Sequence, residues 1–235
     1  MCNVATDLAW TPTRLLEITN DGSPGVRLVL NTVDNICGPY VTLSHCWGKA
    51  DFLRLEKRTF ERLRAGIDVF ELPKTFRDAV AVTQWLDVRY LWIDSLCIFQ
   101  DKDDLGDWLL ESSLMERVYA SGLCNIAATA SSDSSQGLFR TRDPTMLQRL
   151  ELDATFAVFK PHAPNRRLSV FNRDYWDMEL NETPLQKRAW VLQERLLARR
   201  TLHFTRKEVM SRRAALSPKL YLREVPRRLS QHSVT

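Results

Sequence analysis

Residues 89–99, RYLWIDSLCIF, make an almost continuous apolar run enriched in aromatic and branched side chains, the pattern of a strand covered on both faces. This segment narrows the choice of folds because of what precedes it. From Pro73, LPKTFRDAVAVTQWL places Phe76, Ala79, Val80, Val82 and Leu86 near helical spacing, with proline in the first turn, and predicts a helix of about four turns. Further upstream, YVTLSHCW at 40–47 reads as a strand ending at Gly48. Strand, helix, strand in that order implies a parallel pair.

The series continues. WLLESSLMERVYASG carries Trp108, Leu109, Leu110, Leu114, Met115 and Val118 on a second helix, with Gly122 in the C′ position. LCNIAATA at 123–130 is a third buried strand, and SSDSSQG (131–137) a loop of locally bonding polar residues. These elements predict an α/β fold with a mainly parallel sheet flanked by helices. In such a sheet a small-ligand crevice opens at the strands' carboxyl ends, here Ser44–Trp47, Asp94–Gln100 and Thr129–Ser135. Before this core, TRLLEI (13–18) and VRLVL (26–30) flank NDGSPG as a hairpin or loop. After it, TFAVFK and RLSVF are short strand candidates, DYWDMEL suits strand or helix, and PLQKRAWVLQERLLARR from Pro184 reads as one helix with Trp190, Glu194 and Leu197 on a shared face.

With 235 residues, 44% of them hydrophobic, the chain buries a real core. No apolar run reaches the roughly 18–20 residues of a membrane span, and the start lacks signal-peptide character, so a cytoplasmic protein is expected. Five cysteines without a CxxC pair indicate reduced thiols, and four dispersed histidines indicate no metal. Eight basic and two acidic residues fall between Arg206 and Thr235, whereas the first 205 residues hold 25 basic and 27 acidic ones. Nucleic-acid binding is therefore not expected of the folded part and is left open only for the basic end. The organisation read from this is an extension over 1–11, a domain over 12–205 and a basic, poorly ordered tail over 206–235.

PTRLLEI, YVTLSHCWG, LPKTFRDAVAVTQWL, RYLWIDSLCIFQD, DWLLESSLMERVYASG, LCNIAATASSDSSQGLF and RAWVLQERLLARRTLHF together resemble the heterokaryon-incompatibility (HET) domain of filamentous fungi, in that family's order, over roughly 12 to 204. The following VMSRRAALSPKLYLREVPRR departs from the family pattern, which points to a truncated or altered carboxyl end. The resemblance implies a role in fungal non-self recognition, with programmed cell death as output, self-association and a protein recognition partner. HET domains are in turn distantly similar to TIR domains, signalling modules with a flavodoxin-like three-layer sheet, some of which cleave NAD. No cofactor is implied; NAD enters as the substrate of an enzymatic mode of action. The resemblance is equally compatible with a non-enzymatic assembly module and with an inactive fragment.

In TIR-type enzymes a glutamate follows a tryptophan by four residues on a helix, and Trp190–Val191–Leu192–Gln193–Glu194 has that spacing. The resemblance thereby makes Glu194 the catalytic candidate, a carboxylate beside an indole suited to a developing ribosyl cation. Against this stands a purely structural role, a salt bridge to Arg188, Arg195 or Arg199 on a solvated helix. Glu111 is the second candidate, set against an intrahelix role beside Met115 and Arg117. Ser44, Trp47, Gly48, Asp94 and Trp190 are the ligand-binding candidates, Gly48 because it lets a backbone N–H approach a phosphate or sugar. Asp94, amid apolar neighbours, is equally suited to anchoring the next loop. His45 and Cys46 point to opposite faces of a strand, and a pairing of Cys46 or Cys97 with His203 is left open.

Overall fold

The computed structural model describes residues 10–19, 24–49, 51–142, 150–153, 167–170, 179–188 and 191–213. Its centre is parallel. Strand β3 (Tyr40–Ser44) lies between β5 (Tyr90–Ile93) and β6 (Cys124–Ala127), and both pairings are parallel. These are the three buried strands the sequence predicts, side by side. Helix α1 (Lys57–Ala65) follows β3, and the helices that precede β5 and β6, α2 (Lys74–Trp85) and α4 (Gly106–Ser121), lie where the periodicity puts them. The core gathers on these strands, where Leu43, Leu91, Trp92, Ile93 and Ile126 are almost wholly excluded from solvent and Trp92 meets Tyr119 of α4 edge to face at 5.7 Å.

The sheet as a whole is mixed, and the expectation of a mainly parallel sheet is corrected. Its eight strands run β10-β9-β6-β3-β5-β1-β2-β4. Here β1 is Arg14–Thr19, β2 Gly25–Leu30, β4 Ile67–Asp68, β9 Arg200–Phe204 and β10 Val209–Arg213. β1 pairs antiparallel with both β2 and β5, β2 with β4, and β9 with β10, while β9 joins β6 in parallel. Short connections account for two of the antiparallel pairs, β1 with β2 and β9 with β10, because a chain that returns within a few residues pairs antiparallel; the parallel pairs all lie across long crossovers. Strands β7 (Leu150–Asp153) and β8 (Arg167–Val170) pair separately; residues 155–160 lie outside the described ones. β10 carries the ordered sheet past residue 205.

Three local expectations also change. The 89–99 run is a strand only to Ile93. A short helix, α3 (Asp94–Cys97), follows, because the Asp94 carboxylate accepts from the Ser95 N–H at 2.7 Å and offers the backbone an alternative to the ladder. The helix read from Pro184 is divided into a 3₁₀ turn (Leu185–Lys187), an extended Arg188 and α5 (Val191–Leu197), and Arg200 already belongs to β9. Gly122 ends α4 with φ −64°, so it supplies no left-handed cap. Cys37 is disulfide-bonded, against the expectation of reduced thiols, while Cys46, Cys97 and Cys124 are free and buried.

Candidate functional site

The carboxyl ends of β3 and β5 open into a cleft of about 110 Å³ lined by Trp47, Asp94, Gln100, Trp108, Arg188 and Glu194, among others. That is comparable to a cavity accepting one benzene-sized ring, so the cleft suits the end of a ligand rather than a whole dinucleotide. Ser44 ends β3, and Trp47 follows in the extended segment after it. Trp108 and Met115 face the cleft from α4, and Tyr119, eleven residues beyond Trp108 and so on the same helical face, lies near Glu194.

Glu194, on α5, is 2% exposed. Burial raises its carboxyl pKa to about 7; the Ser44 hydroxyl lowers it, Asp94 raises it, and Arg188 and the Tyr119 hydroxyl lower it. The solvated salt bridge is not what forms. Arg188 lies 3.7 Å from Asp94, Arg195 donates to Asn181 Oδ1 and Arg199 to the Ala120 carbonyl. A half-titrated, desolvated carboxyl at a cleft wall can stabilise a cation or exchange a proton near neutral pH.

Asp94 is the anchor of this wall. It accepts from the Trp47 indole N–H at 3.1 Å and from the Ser95 N–H, and pairs with Arg188, which also donates to the His45 carbonyl. His45 Nδ1 stands 3.7 Å from the same carboxylate, yet burial holds its pKa down to about 4 and the ring is neutral. The ring packs among Phe52, Phe76 and Trp47. Loop anchoring and cleft lining, both open to Asp94 from the sequence, coincide in this one carboxylate.

Gly48 has a different task. Its φ is +70°, and a Cβ there would overlap Asp133 of the 131–137 loop, so its missing side chain serves loop packing. Glu111 is separate from the cleft: buried, with its pKa raised by desolvation, it lies 3.3 Å from Arg14 of β1 rather than with Met115 and Arg117. Trp190 lies outside the described residues. Sequence reading missed Arg188 and Trp108 as lining of the cleft and Tyr119 as a neighbour of Glu194. The i, i+7, i+11 spacing of Trp108, Met115 and Tyr119 was an available signal; nothing local marks Arg188.

Neither Cys46 nor Cys97 pairs with His203. Burial raises the Cys46 pKa and lifts Cys97 and Cys124 to about 12, and His203 Nδ1 faces Thr129 Oγ1 at 3.2 Å. Among the described residues no group of three or more His, Cys, Asp or Glu side chains could hold a metal ion.

Comparison with curated proteins finds no match, and neither does comparison with solved structures. A family model described as Heterokaryon incompatibility protein (HET) matches residues 40–194, about two thirds of the chain, from the first residue of β3 to Glu194 itself. With the ordered strand and helix blocks inside that span, the chain belongs to the heterokaryon incompatibility family.

Proposed function

We propose that this chain is the signalling module of a fungal non-self response, acting in the cytoplasm through association with a protein recognition partner and self-association, and that its cleft cleaves the nicotinamide–ribose bond of NAD. The parallel centre of the sheet is, on this reading, TIR-like. One observation carries it: the buried Glu194 carboxyl, with a pKa near 7, at the wall of a ring-sized cleft lined by two indoles. As the C–N bond breaks, nicotinamide leaves with the bonding pair and loses its ring charge, so no acid is needed. Positive charge moves to the ribose, where an ionised Glu194 stabilises it. Water then supplies the oxygen at the ribosyl carbon and releases a proton. Trp47, held by Asp94, and Trp108 line the cleft and are the side chains suited to a cationic ring.

The test is incubation of the purified, concentrated protein with NAD, following nicotinamide and ADP-ribose by chromatography. Wild type should release both and Glu194→Gln neither, with folding unchanged. Unconsumed NAD with wild type, or wild-type turnover by the Gln variant, refutes the enzymatic reading.

A second reading, a non-enzymatic assembly module, is favoured by Leu105, Leu109 and Leu110 of the α4 region, which are 56–62% exposed. Under it, killing survives Glu194→Gln and is lost in Leu109→Glu.

A further inference from the structure

Behind the cleft, Glu194 reaches a second and much smaller space. A cavity of about 10 Å³, lined by Ser44, Asn125, Gln186, Glu194 and His203 among others, lies between the ends of β3, β6 and β9 and helix α5. Three polar atoms of its lining residues are buried without a hydrogen-bond partner among the described residues: Glu194 Oε2, His203 Nε2 and Gln186 Nε2. Leaving one such atom unpaired is costly. Three around one cavity point to a common partner.

The donor and acceptor count identifies it. Thr129 Oγ1 donates to the Ala127 carbonyl at 3.3 Å and faces His203 Nδ1 at 3.2 Å. With the threonine proton so directed, the imidazole hydrogen is assigned to Nδ1, which leaves Nε2 as the acceptor. Burial keeps this ring neutral, its pKa depressed to about 3. The residues that line the cavity thus carry two unpartnered acceptors, Glu194 Oε2 and His203 Nε2, and one unpartnered donor, the Gln186 amide. An ammonium ion or a metal ion cannot accept from that amide. A water molecule has two hydrogens and lone pairs to match all three, and the space is that of about one water.

We propose that the inner cavity is a binding site for one fixed water molecule, which donates to Glu194 Oε2 and His203 Nε2 and accepts from Gln186 Nε2. The site makes His203 a positioning residue: through the water it holds the Glu194 carboxylate against the outer cleft and favours its charged form. The inference is independent of NAD cleavage. Glu194 is also faced by Asp94 from the end of β5, Arg188 ahead of α5, and Ser44 and Tyr119. His203 feels Arg195 and Arg212.

A crystal structure of the whole chain with ordered solvent tests the site directly. One water within about 3.2 Å of the three atoms is the expected result. A dry cavity, or Glu194 bonded directly to His203, overturns the proposal. The second test is an NMR titration of the Glu194 carboxyl in wild type, His203→Phe and His203→Gln. His203→Phe removes the acceptor that fixes the water, and the Glu194 midpoint should rise by about one pH unit. His203→Gln keeps an acceptor and should stay nearer wild type. An unchanged midpoint in folded His203→Phe refutes the positioning role; if that variant does not fold, the crystal structure decides.

Discussion

Three buried side chains, Glu194, His45 and His203, couple stability to pH in opposite directions. The histidines have folded pKa values near 4 and 3 against 6.5 unfolded, so the stability they confer is present above pH 6.5 and lost as pH falls. Glu194 has a folded value near 7 against 4.5; its contribution is complete below pH 4.5 and lost as pH rises through about 7. Between pH 4.5 and 6.5 two histidines outweigh one glutamate and stability rises with pH, and near pH 7 the remaining histidine gain and the Glu194 loss nearly cancel. The melting temperature due to these groups should therefore rise from pH 4.5 and level off near pH 7, and Glu194→Gln, which removes the opposing proton, should steepen that rise. An unchanged slope in the Gln variant would contradict the buried carboxyl. Arg14 makes the other residue-level prediction. Its guanidinium donates to the Cys97 carbonyl at 2.7 Å, pairs with Asp107 at 2.6 Å and Glu111 at 3.3 Å, and lies over the Phe99 ring. Arg14→Ala leaves acidic groups without their cation and should cost about 3 kcal/mol in chemical denaturation; a loss under about 1 kcal/mol would mean that the cluster is not structural.

Among the elements, β5 has the most to lose. It is flanked by β3 and β1, and Leu91, Trp92 and Ile93 are at most 1% exposed. Ile93→Ala should cost on the order of 2–5 kcal/mol, and an unchanged melting temperature would show that β5 is not central. This strand was legible in the sequence because continuous apolarity reports burial on both faces. Where it ends was not, since the turn at Asp94 depends on one carboxylate bonding its own backbone. Helices α2 and α4 were legible from periodicity. The break ahead of α5 was not, because Arg188 is extended while contacting His45 and Asp94, residues more than ninety positions away. The cleft divides the same way. Glu194, Ser44, Trp47 and Asp94 were found through strand ends and a spacing carried by resemblance, whereas the inner cavity, where Gln186 meets His203, is a product of tertiary packing alone.

At the scale of the molecule, the family-matched span of 40–194 holds β3, β5 and β6 but neither strand that borders them, since β1 covers β5 and β9 covers β6. The parallel centre is thus sealed on both sides by segments that the family model does not reach. A piece trimmed to 40–194 would keep the cleft residues and strip both seals, exposing the N–H and C=O rows of two apolar strands at once. Such edges recruit other chains. The trimmed piece should aggregate on size-exclusion chromatography at concentrations where residues 10–213 elute as a defined species, and equal behaviour of the two would show that the flanking strands are dispensable. For a protein whose proposed activation is self-association, the flanking strands then act as a safeguard against the wrong assembly: they keep the backbone of the apolar centre out of contact between copies.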